Sequence, residues 1–177
     1  MTNTRTRHLG RRTRKAVLVV HLVSVGTWIG LDVAMAILIG TAAITDDRRT
    51  AGISYQALSL FAVWPLLIAG VVCLLSGAVL GLGSKFGLLR YWWVAVKLVL
   101  NILLSALVLI ALRPAVEIAE ATGRELLDGS RRSAPVGDLL YPPIVSPIAL
   151  LVAVVLAVYK PWGRIQRRSR ERQAGVR

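Results

Sequence analysis

The sequence contains few of the residues on which disulfides, metal sites and acid–base catalysis depend. It has one cysteine, Cys73, and two histidines, His8 and His21, in 177 residues. A single cysteine excludes an intramolecular disulfide, and a lone cysteine in an apolar stretch usually behaves as a small hydrophobic residue. We find no paired-carboxylate site, nucleophile elbow, phosphate-binding glycine loop, HExxH motif or CxxC motif. We therefore expect a protein that is not an enzyme.

Acidic residues are also scarce, with 9 Asp and Glu against 22 Lys and Arg, which gives a net charge of +13. Of the basic residues, six lie between Arg5 and Lys15 and seven between Lys160 and Arg177. Basic clusters beside apolar segments orient membrane proteins and contact anionic lipid headgroups. Because few basic residues remain for a folded basic surface, the expected partner is the cytoplasmic face of a lipid bilayer and not nucleic acid.

Apolar residues are abundant: they make up 55% of the chain, and the mean hydropathy is +0.64. They are concentrated in four stretches, each long enough to cross a hydrocarbon core of about 30 Å, which takes about 20 helical residues. The sequence therefore predicts an all-α, polytopic membrane protein with a four-helix transmembrane bundle. The predicted segments are a basic tail at 1–15, spans at 16–40, 56–82, 91–112 and 143–162, an outer loop at 113–142 and a basic tail at 163–177.

The distribution of Lys and Arg predicts the orientation. The two tails are strongly basic, and the loop at 83–90 has two basic residues and no acid. In the loops at 41–55 and 113–142, acidic residues balance or outnumber the basic ones. Since the basic side of a membrane protein faces the cytoplasm, we expect both ends to be cytoplasmic in a bacterial plasma membrane.

Two local features refine this picture. Pro65 lies inside the second span, where a proline is expected to kink a helix. The outer loop contains a segment, 114–127, whose apolar residues fall on an imperfect helical face. We expect this segment to form a short helix on the outer membrane surface.

Three acidic or basic side chains lie well inside the spans, away from the span ends: His21, Asp32 and Lys97. Such residues are costly in lipid, normally face the bundle interior and often mark a function. His21 and Lys97 should lie about 9 and about 10 Å from the cytoplasmic boundary, and so at one level if spans one and three are neighbours. Asp32 should share the helical face of His21 but lie about 16 Å further outward, too far for direct contact. Asn101 adds an amide one turn beyond Lys97.

Each of these residues has more than one interpretation. Lys97 either snorkels to the inner headgroups or pairs inside the bundle. Asp32 either caps a helix or pairs with Arg113, or it has a functional role. The imidazole of His21 could bind haem or a metal, relay protons, or form a hydrogen bond with Ser24 or another helix.

Small residues at four-residue spacing predict where helices pack closely. The pattern comprises Gly26 and Gly30 in the first span and Gly77 and Gly81 in the second. Small side chains at this spacing let helix backbones approach each other in membranes.

Three segments carry a resemblance to known proteins. They are His-Leu-Val-Ser-Val-Gly-Thr-Trp-Ile-Gly at 21–30, Trp64-Pro65 with the later Ser76-Gly77, and Gly-Leu-Leu-Arg-Tyr-Trp-Trp-Val-Ala-Val-Lys at 87–97. Together they resemble bacterial, actinobacterial-like families of four-helix predicted integral membrane proteins of unknown function. They are more distantly similar to CopD-type copper-resistance membrane proteins. The resemblance covers about half of the chain and implies a fold more than a function.

Three functions are compatible with the sequence. The first is an accessory or structural membrane component. The second is a haem- or copper-binding redox protein that uses His21, the only in-membrane histidine. Met35 lies about 21 Å from it along the helix, so bis-histidine haem would require a homodimer. The third is a small proton-coupled transporter built on His21, Asp32 and Lys97, which with four spans would favour a homo-oligomer.

Overall fold

The computed structural model describes residues 10–83, 92–130 and 137–159, and this part of the chain is helical without β-strands. Its elements are α1 (Arg11–Ile44), α2 (Arg48–Phe61), α3 (Trp64–Leu82), α4 (Trp92–Leu107), a π-helix (Val108–Leu112), α5 (Arg113–Leu127), a 3₁₀-helix (Gly137–Leu140) and α6 (Pro142–Tyr159). The predicted all-α fold is confirmed. Most of the two tails and of the loop at 83–90 lies outside the described residues.

Three helical segments are long and apolar enough to cross a membrane. They are Arg11–Ile44, Arg48–Leu82 and Val94–Leu127, with hydropathies of 2.0, 2.5 and 2.5. A fourth apolar helix, Pro142–Leu156, is shorter. The protein is therefore a helical bundle of the kind that is embedded in a membrane.

The four apolar helices form a closed ring of contacts: α1 packs against α3 and α6, and α4 also packs against α3 and α6. Helices α1 and α4 consequently lie across the ring from each other. The buried residues of α1 recur every three or four positions, which places them on one helical face: Ser24, Trp28, Asp32, Met35, Ile39 and Ala42. This face points into the ring.

The predicted second span is divided into two helices. α2 ends at Phe61, and α3 begins at Trp64 with Pro65 in its first turn. Proline has no N–H group, and a first turn does not need one, so Pro65 fits at the start of α3, and the helix is interrupted just before it. The predicted span 56–82 lies within the apolar helical segment Arg48–Leu82, and its first residues, 56–61, belong to α2.

Helix α2 begins at a well-formed cap. The carboxylate of Asp47 accepts hydrogen bonds from the backbone N–H groups of Arg49 at 3.2 Å and Thr50 at 3.0 Å. The Thr50 hydroxyl donates a further bond of 2.6 Å. These hydrogen bonds favour the ionised carboxylate and hold the pKa of Asp47 below its usual value. The bond from the hydroxyl has the largest effect, followed by those from the two backbone N–H groups.

Helices α4 and α5 are continuous through the π-helix. At its end the N–H of Arg113 donates to the carbonyl of Val108, five residues earlier, directly before Pro114. A proline ring clashes with the carbonyl four residues before it, and the wider turn relieves this clash. The helix predicted at 114–127 is confirmed as α5.

The apolar side of α5 packs against α2, and the expected position of α5 on the outer membrane surface stays a prediction. That side includes Val116, Ala119 and Leu126, which are buried. Gly52 of α2 and Gly123 of α5 lie at the crossing point, where a Cβ atom on either would come within 3.0 Å of the other's carbonyl oxygen. The absence of side chains at both positions lets the two helices pack directly.

Candidate functional site

A chain of hydrogen bonds connects α1 with α6 inside the ring. Trp28 Nε1 donates to Ser146 Oγ at 2.9 Å, and Ser146 Oγ donates to Asp32 Oδ2 at 2.7 Å. The exposed fractions of the three residues are 1%, 8% and 0%. Trp28 and Asp32 are four residues apart on α1, so they lie one above the other on the same helical face. Ser146 can therefore contact both, and we call this set the buried polar chain.

Asp32 is only partly satisfied by this arrangement. Its second oxygen, Oδ1, is buried and has no hydrogen-bond partner within the described structure. The salt bridges found in the same residues do not include Asp32. A buried carboxylate usually has several donors or a cation around it. Asp32 has one donor, the Ser146 hydroxyl.

Trp28 fills the centre of the ring because Gly70 of α3 makes room for it. A Cβ atom at Gly70 would lie 2.6 Å from Trp28 Cζ3 and 2.9 Å from Ser105 Oγ of α4. The indole therefore touches α3 near Ser105 and reaches α6 through Ser146. Ser105 Oγ is itself buried without a partner among the described residues.

His21 forms a second polar site, between α1 and α3. Its Nδ1 lies 3.1 Å from the Cys73 carbonyl oxygen and 3.0 Å from Ser76 Oγ. A carbonyl only accepts hydrogen bonds, and the Ser76 hydroxyl donates its own proton to the Val72 carbonyl at 2.6 Å. Nδ1 must therefore carry the proton and donate, which leaves Nε2 as the basic nitrogen of the neutral ring.

The imidazole packs on the small surface of Gly77, where a Cβ atom would lie 3.2 Å from His21 Cε1. The neighbour of Gly77 is therefore a side chain, whereas the sequence analysis predicted the close approach of a helix backbone. Gly81, one turn further, is half-buried.

Helix α4 adds polar groups at the level of His21. The Asn101 and Ser24 side chains lie near the buried Cys73 thiol, and the charge of Lys97 is near enough to His21 and Cys73 to act on both. Asn101 Oδ1 is buried without a partner in the part of the chain that is described. The expected meeting of His21 and Lys97 at one level stays a prediction, because their helices lie across the ring and are not direct neighbours.

Two site predictions are wrong. Asp32 does not pair with Arg113, because Arg113 Nε bonds to Glu117 Oε1 at 2.9 Å while Asp32 accepts from Ser146. Gly26 and Gly30 do not mediate packing between the described helices of this chain, since both are exposed and a Cβ atom on either would meet nothing within 4 Å. They lie on the face of α1 turned away from Trp28 and Asp32.

Sequence reasoning missed Ser146, Gly70 and Ser105. A signal for Ser146 was present, because it is the one polar residue in the apolar run from 144 to 158. Gly70 lies seven residues before Gly77, which places the two glycines on one helical face. Ser105 follows Asn101 by four residues and shares its face of α4.

The described residues contain no group of three or more His, Cys, Asp or Glu side chains that could hold a metal ion. Cys73 Sγ lies 3.8 Å from His21 Nδ1, but that nitrogen already donates to α3. A haem or copper ion would have to bind at Nε2 of His21.

Comparison with protein-family models, with curated proteins and with solved structures found no match.

Proposed function

We propose that this protein is a non-enzymatic, four-span protein of the bacterial plasma membrane that binds and releases a proton at Asp32, as a small proton-coupled carrier. The observation that carries the proposal is the burial of Asp32 with Oδ1 unpartnered. Ionisable residues inside membrane bundles are rare, and they often mark proton relays or ion pathways.

Physical chemistry supports a proton at this position. An ionised carboxylate without a cation or several donors is strongly disfavoured in a low-dielectric interior, whereas a neutral carboxylic acid is tolerated. The single bond from Ser146 provides one donor where an ionised group would accept several. Asp32 would therefore hold a proton at rest and release it when its surroundings become polar.

The four-span topology is supported by the length of α6. Its 18 residues rise about 27 Å, close to the thickness of a hydrocarbon core of about 30 Å. The basic tails and the basic loop at 83–90 support a cytoplasmic position for both ends.

A second candidate is an accessory or structural membrane component. It is favoured by the buried polar chain itself, because the bonds from Trp28 to Ser146 and from Ser146 to Asp32 hold α1 against α6. In this case Asp32 would serve only as a hydrogen-bond acceptor.

The Asp32→Asn variant separates the two candidates. An amide oxygen can still accept the Ser146 hydroxyl, but the side chain cannot bind or release a proton near neutral pH. Wild type, Asp32→Asn and a control, Asp46→Asn, would be reconstituted into vesicles that enclose a pH-sensitive dye. Asp46 is exposed in the turn between α1 and α2.

We expect wild type and Asp46→Asn to dissipate an imposed pH gradient and Asp32→Asn to lose this activity while its melting temperature stays close to that of wild type. If Asp32→Asn dissipates the gradient as fast as wild type, Asp32 is structural and the proton-coupled proposal is wrong.

A further inference from the structure

The polar residues in the ring interior lie on one side of Asp32. Towards the start of α1, the interior holds the Trp28 indole N–H and then Ser24 and His21. Helices α3 and α4 contribute polar residues at the same levels. They are Cys73 and Ser76 of α3 and Asn101 and Ser105 of α4. A polar strip therefore runs from His21 to Asp32.

The other side of Asp32 is apolar. The next inward-facing residues of α1 are Met35 and Ile39, and both are buried. Leu66 of α3 and Val108 and Leu112 of the π-helix join them in one hydrophobic cluster. We call these five residues the apolar plug, since water has no polar group to bind there.

Among the described residues, the buried side-chain atoms without a hydrogen-bond partner belong to the polar strip and to Asp32. They are Asn101 Oδ1, Ser105 Oγ and Asp32 Oδ1. Asn101 is near Cys73, at the level of His21, and Ser105 is near Trp28, one turn from Asp32. The three atoms therefore follow one another along the interior from the level of His21 to Asp32. Buried polar atoms of this kind are normally satisfied by internal water.

We propose that internal water molecules bound to Asn101 and Ser105 connect Asp32 with the side of the membrane at which α1 begins, and that the apolar plug closes the other side. In this conformation Asp32 would then exchange its proton with one compartment only, and release to the other side during transport would require the apolar plug to open. The proton passes from the carboxyl group to a water molecule, so only O–H bonds form and break. The inference rests on the proposed function, because it specifies the route to the same carboxyl group.

Among the described residues, the other titratable groups around this route are His21, Cys73 and Lys97, which all lie on the polar side of Asp32. Tyr55 of α2 is buried with the hydrophobic cluster that contains the plug. His21 is at the entrance of the strip, with Nε2 available to accept a proton and Nδ1 held by α3.

Infrared spectroscopy can test the route apart from transport. A protonated carboxyl group has its own C=O absorption band, and exchange of its proton for deuterium shifts that band. The band of Asp32 is the one that is absent from the spectrum of the Asp32→Asn variant. Wild type would be reconstituted in one orientation, and heavy water would be added to either side. We expect exchange from the side at which α1 begins to be at least about tenfold faster than from the other, equivalent to about 1.4 kcal/mol in barrier height.

Two variants test the polar steps of the path, and two others serve as controls. Asn101→Leu removes a polar step, and Ser105→Ala is a smaller change on the same path. Both should slow exchange, whereas Ile102→Leu, on the exposed face of α4, should not. Val108→Thr places a hydroxyl in the apolar plug and leaves the polar strip intact. It should therefore leave the rate of exchange from the side at which α1 begins unchanged.

The outcomes distinguish the two proposals. If wild type has no Asp32 band, the proposed proton site is wrong. If the band is present but exchanges equally from both sides, or if Ser105→Ala and Asn101→Leu exchange as fast as wild type, the one-sided water path is overturned and the proton site stands.

Discussion

The crossing of α2 and α5 gives a sharp test of the fold. A Cβ atom at Gly123 would lie 2.8 Å from the Gly52 carbonyl oxygen and 3.2 Å from both Gln56 Cγ and Tyr55 Cβ. A backbone carbonyl cannot rotate away as a flexible side chain can, so Gly123→Ala must push the two helices apart. Overpacking of this kind costs about 1–3 kcal/mol. Alanine also has a higher helix propensity than glycine, which returns about 1 kcal/mol.

A matched control isolates the steric part of this effect. Gly26→Ala has the same gain in helix propensity, but its Cβ atom would meet nothing within 4 Å. The difference in the free energy of unfolding between Gly123→Ala and Gly26→Ala should therefore equal the overpacking cost of about 1–3 kcal/mol. Unfolding of each purified variant by increasing fractions of sodium dodecyl sulfate in mixed micelles, followed by circular dichroism, measures this difference.

The reciprocal variant Gly52→Ala adds a test of mechanism. Its Cβ atom would lie 2.9 Å from the Gly123 carbonyl oxygen, at the same crossing. Because one alanine already separates the helices, the double variant should be less unstable than the sum of the single effects. Equal stabilities of Gly123→Ala and Gly26→Ala would refute the close crossing, as would strictly additive single effects.

Three further predictions concern the buried polar chain, the cap of α2 and the topology. Ser146→Ala leaves the Trp28 N–H and Asp32 Oδ2 without partners and should lower the free energy of unfolding by about 1–3 kcal/mol for each group; an unchanged unfolding curve would contradict the hydrogen bonds. The lowered pKa of Asp47 stabilises the fold above the usual pKa of Asp, and this contribution is lost as pH falls through the folded value. Asp47→Ala should therefore be less stable than wild type at neutral pH and approach it in acid, as melting temperatures would show; a difference that does not depend on pH would contradict the role of the charge. Reporters fused to the N-terminus, the loop at 83–90 and the C-terminus should be cytoplasmic, and one inserted at 128–136 should be external; a cytoplasmic signal there would exclude the four-span topology.

The apolar helices were predictable from the sequence because burial in lipid requires long apolar runs. The break before Pro65 was predictable for a similarly local reason, since proline cannot continue a helix without disturbing it. The boundary of α2 was not, because residues 56–61 are apolar enough to read as part of a span. Their face is buried by α5, which lies more than fifty positions later in the chain.

The residues of the site illustrate the same limit. Asp32, His21, Lys97 and Asn101 could be selected because polar groups in apolar helices are conspicuous. The hydrogen-bond donor to Asp32 could not, because Ser146 is 114 positions away and the order of helices around the ring is not encoded in local periodicity. The spacing of glycines has a related limit. It identifies residues that share a helical face, but it does not show whether that face contacts another helix of the chain. Gly26 and Gly30 lie on an exposed face of α1.

The protonation state of Asp32 tests the central claim most directly. Infrared spectra of wild type and Asp32→Asn, each reconstituted in lipid at neutral pH, would be subtracted from each other. We predict that the difference contains the C=O band of one protonated carboxylic acid, lost in the variant. A difference that contains only the bands of an ionised carboxylate would contradict the account.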